Sequence, residues 1–185
     1  MNKTVFAVGA HPDDIEFLMA GTLLLLNQRG FEIHLMHLAS GSCGTSQHDI
    51  ETIIRIRSGE AKEAAEILGA VYHPPLVEDL QIFYEPSLLF RVAAIVREIA
   101  PQILLVHSPD DYMEDHMNAC RLAVTAAFAR GMRNFPVEPA VKPIDWEVTI
   151  YHAQPHMNMN QLGKRVIPDL FVDISDVMHR KKQAL

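Results

Sequence analysis

Two short stretches of this chain concentrate side chains that can bind a cation or move a proton. His11, Asp13 and Asp14 lie together in A-H-P-D-D, and His107, Asp110, Asp111, Asp115 and His116 lie together in H-S-P-D-D-Y-M-E-D-H. Imidazole and carboxylate groups converging from two loops suit a divalent first-row ion. Two His and one Asp would leave that ion a fourth position for water, the open form of catalytic rather than structural zinc sites. A spare carboxylate beside a ligand, as in Asp13-Asp14, can take a proton from the water. Each piece also has a plainer explanation. Paired Asp before a helix is commonly an N-cap with favourable first-turn charge, and a His after a strand is often an ordinary loop residue. The joint pattern on two strand ends is harder to explain that way. The same donor set also matches a non-haem iron facial triad or a phosphoester hydrolase. A non-catalytic sugar- or nucleotide-binding domain is a further alternative, weakened because neither G-x-G-x-x-G nor G-x-x-x-x-G-K-[ST] follows the first strand.

Positioning these residues is the task of the elements around them. Residues 4–10 (TVFAVGA) are almost all apolar, as in a central strand covered on both sides. A helix is expected over residues 15–28, with Gly30 as its C-cap, followed by a strand over 33–39 and a small-residue loop over 40–46. Residues 50–68 carry apolar positions at helical spacing and end at Gly69, and 70–73 can form a short third strand. A helix over 87–100, stopped by Pro101, precedes a fourth strand over 102–107 and a helix over 116–130. Late strands are expected over 147–152 and 170–174. This alternation predicts an α/β, Rossmann-like, doubly wound and mostly parallel sheet with helices on both faces. Such sheets bind ligands at the C-terminal strand edge, where the first strand neighbours a later one across the switch point. The fourth strand is the expected neighbour, which would place a metal site there. Pro136, Pro139 and Pro143 mark a loop, so residues 1–185 are expected to form a single domain.

Composition narrows the partners. With 16 Lys and Arg against 23 Asp and Glu, the net charge is -7, and the basic residues are scattered apart from Arg180, Lys181 and Lys182. That gives no electrostatic reason to expect a nucleic-acid or anionic-membrane surface. Residues 18–26 are too few to cross a bilayer, and no signal-peptide core opens the chain. Cys43 and Cys120 form no C-x-x-C pair, so a reducing, cytoplasmic setting is the expectation.

V-G-A-H-P-D-D-I-E, residues 8–16, resembles the opening motif of the LmbE-like, or PIG-L, N-acetylglucosaminyl deacetylases. The resemblance continues through S-G-S-C-G, through R-S-G-E-A-K-E-A-A-E-I-L-G at 57–69, through P-D-D-Y-M-E-D-H-M-N-A, and to F-V-D-I-S at 171–175. It implies His11, Asp14 and His116 as ligands of zinc, with iron(II) as the second option, and Asp13 as general base. It further implies a hydrolase in which metal-activated water removes the N-acetyl group of an N-acetylglucosamine-type amino sugar, or an amide of another compound. Relatives place a protonated His near the oxyanion from their C-terminal region. Here Y-H-A-Q-P-H offers His156, the preferred electrophile, and His152, which can close a strand and is kept as a substrate-binding candidate. Arg57 and Glu60 have the spacing of an ordinary helix-surface ion pair. By resemblance, though, Arg57 faces the site and binds substrate. Two departures stand out. Many members carry a His at the place of Met113 that orients the base, so that role is expected to be absent or supplied by another group such as His107 or Asp115. Relatives also continue further at the C-terminus, so that part of the pocket is absent, supplied by a neighbouring subunit of a homo-oligomer, or outside this chain. His34, His37, His48, His73 and His179 lack such context and are expected to be structural or superficial.

Overall fold

The computed structural model describes residues 3–185. Five strands, β1 (Thr4–Gly9), β2 (Glu32–His37), β3 (Ala70–His73), β4 (Ile103–Val106) and β5 (Thr149–His152), form one parallel sheet in the order β3-β2-β1-β4-β5. Six helices accompany it: α1 (Asp14–Leu18), α2 (Ala20–Gln28), α3 (Ile50–Leu68), α4 (Pro86–Ile99), α5 (Glu114–Ala129) and α6 (Met178–Gln183). Every residue of β1 is buried, because its two faces feed two apolar layers. Phe6 and Val8 pack with Leu88, Val92 and Val96 of α4 and with Ala119 and Ala123 of α5. Val5 and Ala7 pack with Leu23 and Leu24 of α2 and with Ala65 and Leu68 of α3 on the other side. A central strand that must satisfy both layers can carry little but apolar residues, which is why its sequence shows no alternation.

The winding reverses at β1. The chain runs β1, β2, β3 towards one edge and then crosses back to place β4 and β5 on the other side of β1. Val8 therefore pairs with Val106, and the loops that follow β1 and β4 leave the sheet side by side. The ligand-rich stretches at residues 10–14 and 107–116 meet for this reason.

Two expectations need correction. The helix expected over 15–28 is two helices, because Met19 leaves helical geometry with φ -123° and ψ -20° between α1 and α2. The strand expected over 170–174 does not form; those residues are irregular, and Phe171 is 82% exposed. Of that stretch only Ile174 joins a core layer. A Cβ added at Gly21, inside α2, would lie 2.6 Å from Ile174 Cγ2, so the glycine is the socket for that side chain. No helix among the described residues is long and apolar enough to cross a membrane.

Gly→Ala inside a helix ordinarily stabilises, by up to about 1 kcal/mol. Here the added methyl collides with Ile174, so Gly21→Ala is expected to cost about 1–3 kcal/mol, a fall of several degrees in melting temperature. Pairing it with Ile174→Ala should relieve the collision. A Gly21→Ala single variant that melts at or above the wild-type temperature would show the socket to be loose.

Candidate metal centre

The turn after β1 is built around one carboxylate. Asp14 Oδ2 accepts from the backbone N–H of His11 at 2.7 Å and of Ala10 at 3.2 Å, so Asp14 caps the strand end it has just left. The backbone reverses through Asp13, whose φ of 99° is unusual for a residue with a side chain. Asp13 occupies the N-cap position of α1 but makes no side-chain cap bond there, and its carboxylate goes to Arg57 instead. The plain capping explanation therefore does not account for Asp13, and Asp14, which does add first-turn charge, is also bonded to the strand end.

One donor atom each from His11, Asp14 and His116 lie within 4.8 Å of one another. His116 Nε2 is 3.3 Å from Asp14 Oδ1, and His11 Nδ1 is 3.5 Å from Asp14 Oδ2. Each imidazole has a carboxylate behind it. His11 Nε2 is 2.9 Å from Asp115 Oδ2, which also accepts the backbone N–H of Leu80 at 2.8 Å. His116 Nδ1 is 3.1 Å from Asp111 Oδ1, close enough for charge attraction but not aligned as a hydrogen bond. A carboxylate on the rear nitrogen is how metal-ligating histidines are held in ring orientation and tautomer.

A second triple, His107, Asp111 and His116, also has donor atoms within 4.8 Å. His107 Nε2, however, accepts the Ala10 N–H at 2.9 Å. The same nitrogen is 3.2 Å from Asp14 Oδ2, so it is already engaged by two neighbours, and Nδ1 is buried without a partner. His107 is better described as the wall of the centre: its ring stacks on His116 with centroids 4.1 Å apart and planes 13° apart.

Residues 6–128 match the family model described as PIG-L, GlcNAc-PI de-N-acetylase. The chain belongs to the PIG-L family. Over 99% of its length it is 29% identical to diacetylchitobiose deacetylase of Thermococcus kodakarensis, covering 68% of that protein. It is also 29% identical, over 99% of its length and 72% of the other, to 4-oxalmesaconate hydratase of Pseudomonas putida. Among solved structures, 4-carboxy-2-hydroxymuconate hydratase of Pseudomonas putida matches with a TM-score of 0.83 at 27% identity, over 98% of this chain and 77% of that one. N,N'-diacetylchitobiose deacetylase from Pyrococcus horikoshii matches in fold, with a TM-score of 0.85 at 24% identity, over 98% of this chain and 68% of that one.

The remaining candidates sit at different distances from this PIG-L centre. Arg57, on α3, reaches Asp13 Oδ2 at 2.6 Å and Glu60 Oε2 at 2.6 Å, so the ordinary helix pair and a contact to the site coexist. His156 is exposed on a 3-10 turn (His156–Asn158), its ring centroid 6.1 Å from that of Tyr112, which meets His116 edge-on at 5.8 Å. His152 ends β5, and its Nδ1 donates to the His107 carbonyl at 2.9 Å. Neither His107 nor Asp115 takes the base-orienting place left by Met113: His107 holds Ala10, Asp115 holds His11, and among the described residues Arg57 bonds Asp13. Sequence reasoning counted Asp111 only among the potential ligands of its loop and assigned no role to Tyr112 or Asp79. The first two lie inside the acidic loop already noticed. Asp79 carries no local signal, since it acts across 38 residues by accepting the Gly41 N–H.

Burial opposes charge on Asp14, yet contacts with His107, His11 and His116 outweigh it and hold its carboxyl well below the usual range. Burial alone would lower His116, but its contacts with Asp111 and Asp14 prevail and raise it to about 9. His11 is raised in the same way, against its burial, by Asp14 and Asp115. Burial keeps His107 lowered and neutral. A folded-state His pKa above its unfolded value near 6.5 stabilises fully below that value and ceases to do so as pH rises through the folded one, about 9 for His116. Metal-free protein is therefore expected to lose melting temperature between about pH 7 and pH 9, and His116→Gln should flatten that decline. A wild-type melting temperature that stays level over this interval would contradict the assigned environment of His116.

Proposed function

We propose that this chain is a metal-dependent N-deacetylase that hydrolyses the acetamide of an N-acetylglucosamine-type amino sugar, with His11, Asp14 and His116 holding zinc, or iron(II) as the alternative. The observation that carries this reading is the pair of imidazoles and one carboxylate converging on a point, each imidazole backed by its own carboxylate. Two His and one Asp match the donor set of an open catalytic site, so the residues fit the ion. When bound, such an ion supplies Lewis acidity, bringing the pKa of water towards about 7 and polarising a carbonyl.

The chain's own residues supply the proton handling. Asp13 has no capping duty, and burial raises its carboxyl above the ordinary value although Arg57 pulls the other way, so it is a better proton acceptor than a free aspartate. It takes the proton of the attacking water and passes it to the departing amine. His156, at the rim beyond Tyr112, is the proposed donor to the oxyanion that forms on the acetyl oxygen. His152, with Nδ1 committed to the His107 carbonyl, keeps Nε2 for substrate. A single chain holds these groups; the site and a cytoplasmic setting for it are part of the same proposal.

The hydratase relatives favour a second reading, addition of water to an unsaturated carboxylate, with the same residues activating the water. The electrostatics here are less suited to it. Asp13, Asp14, Asp111 and Asp115 surround the centre, and the guanidinium among them, Arg57, is already paired with Asp13 and Glu60. A polycarboxylate would meet repulsion there that a neutral acetamide does not.

Protein purified without an affinity tag should contain about one transition-metal ion per chain and release acetate with free amine from N-acetylated amino sugars. His11→Ala and His116→Ala are expected to lose the ion. Asp13→Ala should retain it while losing on the order of 10²–10⁴-fold in rate. Wild-type metal content with no acetate release, but with hydration of an unsaturated carboxylate, would replace the deacetylase reading with the second one.

A further inference from the structure

We infer that Leu80 and Met157 are specificity-determining residues of this site. Beyond the acetamide-bearing sugar they meet an apolar aglycone, not a second sugar. The inference rests on the deacetylase reading. Leu80 is the third residue of a turn closed by the Gln81 N–H on the Glu78 carbonyl at 3.1 Å, and its φ is 63°. Met157 is the third residue of a turn closed by the Asn158 N–H on the Pro155 carbonyl at 2.9 Å, and its φ is 57°. A third turn position with positive φ favours Gly or Asn, and a bulky side chain there is strained. Neither side chain offsets that strain by burial, since Leu80 is 67% and Met157 71% exposed.

Folding therefore gives no reason for a leucine or a methionine at these places. The conformation at Leu80 is imposed by the backbone: its N–H donates to Asp115 Oδ2 at 2.8 Å, and Asp79 before it accepts the Gly41 and Cys43 N–H groups at 2.7 and 2.8 Å. A glycine would make the same bonds. Among the described residues, the other positive-φ positions that carry side chains have their own explanations: Asp13 is the proposed base, Ala100 caps α4, and Asn158 is of a type that tolerates the geometry. Strain of this kind collects where ligands bind, and both turns border the centre. Asp115, which holds the Leu80 N–H, also holds His11. Met157 follows His156, whose ring lies 6.1 Å from that of Tyr112, and Tyr112, itself exposed, meets His116 edge-on. Apolar surface thus stands beside both imidazoles. An aliphatic or aromatic aglycone gains by covering it, whereas the hydroxyls of a second sugar would lose water there and find no donor or acceptor on either side chain.

The metal-loaded enzyme is tested on N-acetylglucosamine, its hexyl glycoside and N,N'-diacetylchitobiose. The hexyl glycoside should exceed the free sugar by about 30-fold in kcat/KM, through KM, and diacetylchitobiose by less than about threefold. Leu80→Asn and Met157→Asn should each remove several-fold of the hexyl advantage, leave the kinetics on the free sugar unchanged, and melt no lower than the wild type. Equal gains for the disaccharide and the hexyl glycoside would overturn the inference. So would an unchanged hexyl advantage in both variants, with or without a loss of self-association, or a lower melting temperature in both. Binding is read separately on Asp13→Ala, to which calorimetry should show the hexyl glycoside binding about 30-fold more tightly than N-acetylglucosamine. That preference without acetate release by the wild type would uphold the apolar rim and remove only the deacetylase reading, and its absence would overturn the rim.

Discussion

Asp14 is a nearly buried carboxylate that remains charged because backbone N–H groups and imidazoles meet its two oxygens. Two backbone N–H groups from the end of β1 meet Oδ2, and His107 and His11 approach the same oxygen, while His116 approaches Oδ1. A carboxylate has about four lone-pair positions, and here nearly all are in use. This one group ties the end of β1 to the first turn of α5 and sets the separation of His11 and His116. An uncompensated charge in that position would be costly, so its partners are constrained as tightly as the carboxylate itself.

The surroundings of His11 and His116 show how little chain is needed to orient them. Asp115 and His116 are neighbours in the first turn of α5, yet they serve opposite sides of the centre: His116 faces Asp14, and Asp115 reaches back to His11. Glu114 and Asp115 also sit where the positive end of a helix favours acidic residues, so the orientation of His11 and the favourable charge at the start of α5 draw on the same side chain. His107 needs no charge to contribute, because its stacked ring keeps water from one side of His116.

The rim is built by a segment that has little core of its own. Residues 154–166 turn back on themselves through the Met159 to Arg165 bridge and lean on the acidic loop by Asn160 to Asp110 at 3.0 Å and Gln161 to Glu114 at 3.3 Å. His156 is carried on this segment, so its approach to Tyr112 depends on polar side-chain contacts and not on buried apolar surface. Segments held in this way open more readily than the elements beneath them.

Much of the fold was legible because its causes are local. The unbroken apolar run of β1, the periodicity and Gly69 stop of α3, and the proline after α4 each act within a few residues, and the parallel sheet with β1 beside β4 follows from their alternation. The break at Met19 carries no local signal, and the seating of Ile174 against Gly21 in place of a strand over 170–174 was not legible, since that contact spans more than 150 residues. By itself the sequence determined which donor atoms follow the two central strands, and so which chemistry is available. Tertiary structure alone decided which nitrogen of each imidazole faces inward, which carboxylate stands behind it, and that Asp13 belongs to Arg57. Those choices turn on contacts such as His11 with Asp115, 104 residues apart, and the orientation of a ring is a property of its neighbours in space, which no local pattern of residues encodes.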